Sequence, residues 1–187
     1  MLLALLVAII AAGIAVARGG SLDNLARTRF RWTQVLFAAL LLQILFEIWT
    51  PASFGPGLRL AVTLVSIAGV LIFLVLNRSI PGALLASIGL ALNVLVITVN
   101  GAMPVSLHAA DIAGISFSSF DNLGIKHEIL TASTRLPWLA DILPVPHTQK
   151  IFSFGDVVLA AGLALLAYNC AMRAPREESA IPRAASG

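Results

Sequence analysis

"NGAMPVSLHAAD", residues 100–111, is where this chain changes character. Before it stand apolar runs divided by short joints. After it comes a mixed, partly charged stretch, and then one more apolar run. Asn100 and Gly101 are expected to close a helix, because Asn and Gly tolerate the left-handed backbone that commonly ends one. Pro104 bars the helix from resuming and drives Met103 to extended geometry. The stretch reads as the exit of a helix from an apolar medium.

Composition identifies that medium. Of 187 residues, 59% are hydrophobic and 11% charged, with a mean hydropathy of +0.96. A soluble domain carries roughly 25% charged residues. So few charges could not cover a water-soluble fold, and the composition predicts an integral membrane protein. The single cysteine, Cys170, lies inside an apolar run, which excludes an intrachain disulfide.

A membrane helix needs roughly 20 mostly apolar residues. Five stretches qualify: 1–17, 32–49, 58–76, 80–99 and 154–172. They are continuous and rich in Leu and Ala, without the alternation of a half-buried strand. The first four are separated by short joints, which make consecutive helices antiparallel neighbours. The expected fold is all-α: a polytopic membrane bundle of five transmembrane helices, with an extracytoplasmic cap at 100–153 between the fourth and fifth. Residues 1–172 form a single domain, and 173–187 are expected to be a disordered cytoplasmic tail. The first run ends in Ala-Val-Ala, as a secretory signal can. No cation precedes it, however, and Arg18 follows it, so a retained helix is expected.

The arginines set the orientation. With the N-terminus outside, segments 18–31, 77–79 and 173–187 are cytoplasmic and hold eight of the twelve cations against three of the nine acids. That leaves +5 inside and −2 outside, which together make the formal +3. The positive-inside rule selects this arrangement. It also accounts for the basic pI without nucleic acid, for which no aromatic-interleaved basic stripe exists. Small residues in "AAG", "SIAG", "LAAG" and "ALLASIGLAL" mark faces where helices can approach closely.

The cap is too long for a plain connector. "DNLGIKHEILTASTRL", residues 121–136, has the spacing of a short amphipathic helix. Trp138 among prolines suits the membrane–water boundary. At the return into the last helix, Ser153 and Asp156 have capping-box spacing. Capping is the structural role expected of Asp156, and lining a polar site the functional one.

Topology gathers polar groups at the outer boundary: Glu47, Arg59, Asn100 and Asp156 at helix ends, and His108, Asp111 and Asp141 in the cap. Ionisable residues in membrane segments are candidates for function by default. Near the interface they are also cheap to keep, and a Glu47–Arg59 pair could simply lock a hairpin. His108, His127 and His147 with Asp111, Glu128 and Asp141 could supply metal ligands. They lack a ligand-bearing spacing such as HExxH, so no metal is expected, and no phosphate-cradling loop or GxSxG points to a cofactor or a nucleophile.

"NGAMPVS", then "WLADILPVP", then "IFSFGDVVLAAG" in that order resemble a family of small bacterial membrane proteins known as a domain of unknown function of the 5317 type. The resemblance runs from the second helix to Gly162. It implies a multi-span protein of the bacterial inner membrane and carries no reaction, cofactor or catalytic residue. The leading expectation is a non-enzymatic accessory or assembly subunit whose partners are the bilayer and other membrane proteins. A carrier for a small or lipidic substrate, and an enzyme acting on a lipid-linked substrate at the outer face, are the alternatives.

Overall fold

Long Leu- and Ala-rich runs without internal breakers fold as helices, and their joints hold the Gly, Pro and Asn that stop them. The computed structural model describes residues 2–49, 55–115 and 127–173. Its helices are α1 (Leu2–Ala17), α2 (Leu22–Ala26), α3 (Thr33–Ile48), α4 (Pro56–Leu76), α5 (Ala83–Asn100), α6 (Leu107–Ala113) and α7 (Phe154–Met172). All five apolar runs are helical. Three of these helices, α4, α5 and α7, are long and apolar enough to cross a membrane. At 16 residues each, α1 and α3 are about 24 Å long, short of a roughly 30 Å hydrocarbon core. The run expected to start at Ile80 begins its helix at Ala83, because Pro81 and Gly82 belong to the turn. The expected cytoplasmic tail lies outside the described residues from 174 on.

The helices are tied end to end. The carbonyl of Ala171, near the end of α7, accepts from the Ser21 N–H at 2.9 Å and from Asn24 Nδ2 at 3.0 Å, so α1 and α7 finish side by side. Asn77, which caps α4, reaches the chain just before α3. Ile80, Ala83 and Cys170 form a buried cluster with Leu25 and Phe30 packed against it. The segments bearing Arg18, Arg27, Arg29, Arg31, Arg78 and Arg173 thus lie at one end of the packed helices. Among the described residues, Arg27 pairs there with Asp23 at 2.7 Å.

A close seam joins α5 and α7. Gly82 in the turn before α5, then Ala86, Gly89 and Asn93 on it, recur at helical spacing, and Gly155, Leu159, Gly162 and Leu166 answer them on α7. A methyl group on Gly89 would overlap the Leu159 backbone, and one on Gly162 would overlap Ala86. Backbone contact of this kind is how helices associate in lipid, where there is no hydrophobic drive between them. The "SIAG" of α4 works similarly: Gly69 faces Ala39 of α3. In the "AAG" of α1 the glycine takes no such part, since Gly13 meets no neighbour within 4 Å, while Ala12 is buried. Ala4 and Ala15 of α1 are buried as well.

The cap corrects two expectations. It contains strands, so the fold is mostly helical rather than all-α: β1 (Met103–Val105), β2 (His127–Ile129), β3 (Leu143–Val145) and β4 (Lys150–Phe152). The helix expected over 121–136 is strand at its centre, since β2 pairs in parallel with β1, Met103 opposite His127 and Val105 opposite Ile129. Residues 121–126 lie outside the described residues. The physical reason is β1 itself. Fully buried and extended by its proline, it leaves ladder groups that must find partners. The β2 strand meets one edge, with Leu130 N–H donating to Val105 O at 2.9 Å. The other edge meets Asp141, whose N–H donates to Pro104 O at 2.9 Å and whose carbonyl accepts from Ser106 N–H at 3.0 Å. The β3–β4 hairpin is antiparallel and ties to the end of α6 through Gln149 N–H to Ala113 O at 2.9 Å. Leu139 plugs the cap onto α5 beside Val96 and Met103.

Candidate functional site at the junction of helices α5 and α7

The start of α7 is built as the Ser153–Asp156 spacing predicts. Ser153 Oγ accepts from the Asp156 N–H at 3.0 Å, and Asp156 Oδ2 accepts from the Ser153 N–H at 3.2 Å. Two free donors of the first turn are satisfied, and the carboxylate faces the positive end of the helix dipole. The sequence places Asn93 two turns below Asn100 among the polar groups at this end, but does not join it to the cap as its third member. Asn93, on α5, donates from Nδ2 to Asp156 Oδ1 at 2.9 Å and accepts at Oδ1 from Ser153 Oγ at 2.9 Å. The three side chains close a ring between α5 and α7, with Ser153 fully buried. Gly155 leaves the room Asn93 occupies. The available signal was an amide in the middle of an apolar helix, which must find a partner on a neighbour.

Asn100 does more than end α5. Gly101 adopts the expected left-handed cap at φ 82°, its N–H bonding Ile97 O at 2.8 Å. The Asn100 side chain then reaches into the cap. Nδ2 donates to Val96 O at 3.0 Å and to Arg135 O at 2.9 Å, and Oδ1 accepts from the Arg135 N–H at 2.9 Å. The arginine's backbone is held by both its groups. Asn77 repeats the pattern at the opposite end: Nδ2 donates to Phe73 O at 2.8 Å and to Arg31 O at 2.9 Å, while Oδ1 accepts from the Arg31 N–H at 2.8 Å.

Asp141 is 7% exposed and sits against β1. Burial, and then the nearby charge of Asp156, push its carboxyl up to about 7. The other expected members do not join it. His108 and Asp111 are helical neighbours on α6, as their spacing allowed, but both are exposed. Arg59 is half-buried in the first turn of α4, its N–H donating to Gly55 O at 3.3 Å. The side chain of Glu47 lies outside the described residues, and with it the expected Glu47–Arg59 pair. Among the described residues, no three His, Cys, Asp or Glu side chains converge as metal ligands would.

Beside Asn100 opens a cleft of about 310 Å³. Its lining is mostly polar, with Glu128, Ser133, Thr134 and Arg135 among the residues that form it and Val99 and Ile129 beside them.

The profile of the family of unknown function DUF5317 matches residues 27–168, which is more than half of the chain. The chain belongs to this family. The DUF5317 match extends past Gly162, where the resemblance of the three motifs ends, and takes in α3, α4, α5, the cap and most of α7. It leaves α1 outside, although α1 packs along α7. No curated protein and no solved structure matches the chain.

Proposed function

We propose that this DUF5317 member is a five-span protein of the bacterial inner membrane, N-terminus outside and C-terminus in the cytoplasm, which serves as an accessory or assembly subunit of a larger membrane complex. The observation that carries the subunit reading is how the polar residues at the capped end are used. Asn100 and Asp156, expected in one outer site, are engaged in closing helices and fastening the cap, and His108 and Asp111 stand apart at the surface. A carrier would need polar groups left free on a path between helices, and here Asn93, Ser153 and Asp156 satisfy one another while the rest of the α5–α7 seam is backbone against backbone. The five-span reading is supported by the joined ends of α1, α3, α4 and α7, which make the two short helices run beside the long ones. The outer surface of α3, with Phe37, Leu41, Ile44 and Ile48 exposed, suits lipid or a partner helix.

Two measurements test this. A reporter active only in the cytoplasm should work fused after Arg183 and fail inserted near Asn122; activity at Asn122 overturns the topology. Gentle detergent purification followed by mass spectrometry should recover a membrane-protein partner in fixed proportion, and a chain that elutes alone overturns the subunit role.

Asp141 favours a second reading, an enzyme acting on a lipid-linked substrate at the outer face. A carboxyl raised to about 7 is matched to acid–base work near neutrality. Under that reading Asp141→Asn would fold normally and fail to complement a deletion strain. Under the first it would complement.

A further inference from the structure

We propose that the cleft beside Asn100 holds a zwitterionic phosphoethanolamine-type headgroup, presented by a lipid of the surrounding leaflet. The inference rests on the membrane reading above and goes beyond it in naming a ligand. The cleft opens where the apolar helix α5 ends: Val99, in the last turn of its 18 residues, and the exposed Ile129 line it, while most of its surface is polar. Glu128 and Arg135 supply opposite charges to the same cleft. Among the described residues these two make no ion pair with each other, so both are left for a ligand carrying both charges. Arginine is the side chain suited to phosphate oxygens, and a carboxylate to an ammonium.

The arginine is placed, not merely present. Asn100 holds the Arg135 backbone by both N–H and carbonyl, which fixes the root of the side chain at the end of α5. The hydroxyl-bearing wall is ordered too: Thr131 N–H donates to Thr134 Oγ1 at 2.8 Å. Depth agrees with a headgroup. Trp138 is exposed three residues beyond Arg135, and its neighbour Leu139 packs on Val96, one turn below Asn100. An exposed Trp at the end of an apolar helix marks the level of lipid headgroups.

Full-length protein in detergent is offered phosphatidylethanolamine and phosphatidylglycerol of identical acyl chains, and retained lipid is read by native mass spectrometry. The wild type should retain the ethanolamine lipid preferentially. Arg135→Gln should weaken retention of both roughly tenfold, the loss of one charge-assisted bond. Glu128→Gln should abolish the preference, and Glu128→Lys should reverse it towards the glycerol lipid. Both side chains are exposed, so the variants should melt like the wild type. Glycerophosphoethanolamine, the headgroup without chains, identifies the source: it should bind far more weakly than the lipid, and equal binding would make the ligand a soluble one and overturn the lipid assignment. Equal retention of the two lipids by the wild type, or an unchanged preference in Glu128→Gln, overturns the proposal. Alkaline carbonate extraction separates the two failures. Protein that stays with the membranes but lacks the preference sinks this inference alone; protein released from them sinks the membrane reading as well.

Discussion

Two asparagines end two helices in the same way and stand in opposite settings. Asn77 and Asn100 each bond a carbonyl of their own last turn and clamp both backbone groups of a distant arginine. Asn77 is 2% exposed and lies at the end where the described arginines of the helix joints gather. Asn100 is half-exposed and lies beside the polar cleft. The difference teaches that one device can serve two purposes. Where the clamp is dry it holds α3 to α4 and is itself part of the core. Where it is wet it positions a side chain, and its structural worth falls because water can replace its bonds.

The largest expected effect is at the dry clamp. Asn77→Ala removes a buried amide and leaves the Arg31 N–H and carbonyl without their partner in a partly buried setting, at up to about 1–3 kcal/mol for each group so stranded. Melting in detergent should show a loss of about 2–4 kcal/mol. A loss no larger than that of Asn100→Ala would break the comparison.

Asp141 sharpens the contrast between the ends through pH. Its carboxyl is raised from 3.8 to about 7, so the folded protein keeps a proton that the unfolded chain gives up. Protonation therefore favours the fold: its contribution is complete below about pH 4, declines as pH rises, and is gone above about pH 7. Melting temperature should fall across that window, and Asp141→Asn should flatten the fall and be the more stable form at pH 8. The effect is on the order of a few kcal/mol at most. A wild-type profile that rises from pH 4 to 7, or one unchanged by the substitution, would show that the carboxyl titrates normally.

Asn100→Ala and Ser153→Ala come next. Asn100→Ala should cost about 1 kcal/mol, the net worth of exposed hydrogen bonds, and also blunt the lipid preference attributed to Arg135. Ser153→Ala should cost about 0.5–2 kcal/mol as a lost cap, nearer the upper figure because Asn93 loses a partner as well. Asp156→Asn keeps the size but loses the charge, and should lower the melting point slightly while complementing a deletion strain. Failure to complement with unchanged stability would give Asp156 a working role beyond the cap.

The smallest effect is expected on the outer face of α3. Phe37→Ala removes a ring that is 65% exposed, and the thermal shift in detergent should lie within about 0.5 kcal/mol. A large loss would mean that the face is already covered, in a second copy or a partner, and would favour the subunit reading.

The sequence by itself determined what local chemistry and composition control. Long apolar runs must be helices in lipid because their backbone groups have nowhere else to bond. Ser153 and Asp156 could be read as a cap, and Asn100–Gly101 as a stop, because their partners lie within four residues. Membership of the family was legible in three short motifs for the same reason. What only the tertiary structure decided are contacts between residues far apart in the chain. β2 was misread as helix because its conformation is set by the open edge of β1, some two dozen residues earlier. Asn93 stood out as a polar group in an apolar helix, but its partners were decided only when α7 brought Ser153 and Asp156 to it. The Arg135 clamp, the burial of Asp141 and the pairing of Gly89 with Leu159 likewise follow from packing. Periodicity and propensity report on a residue's near neighbours, while these features depend on which distant backbone meets them.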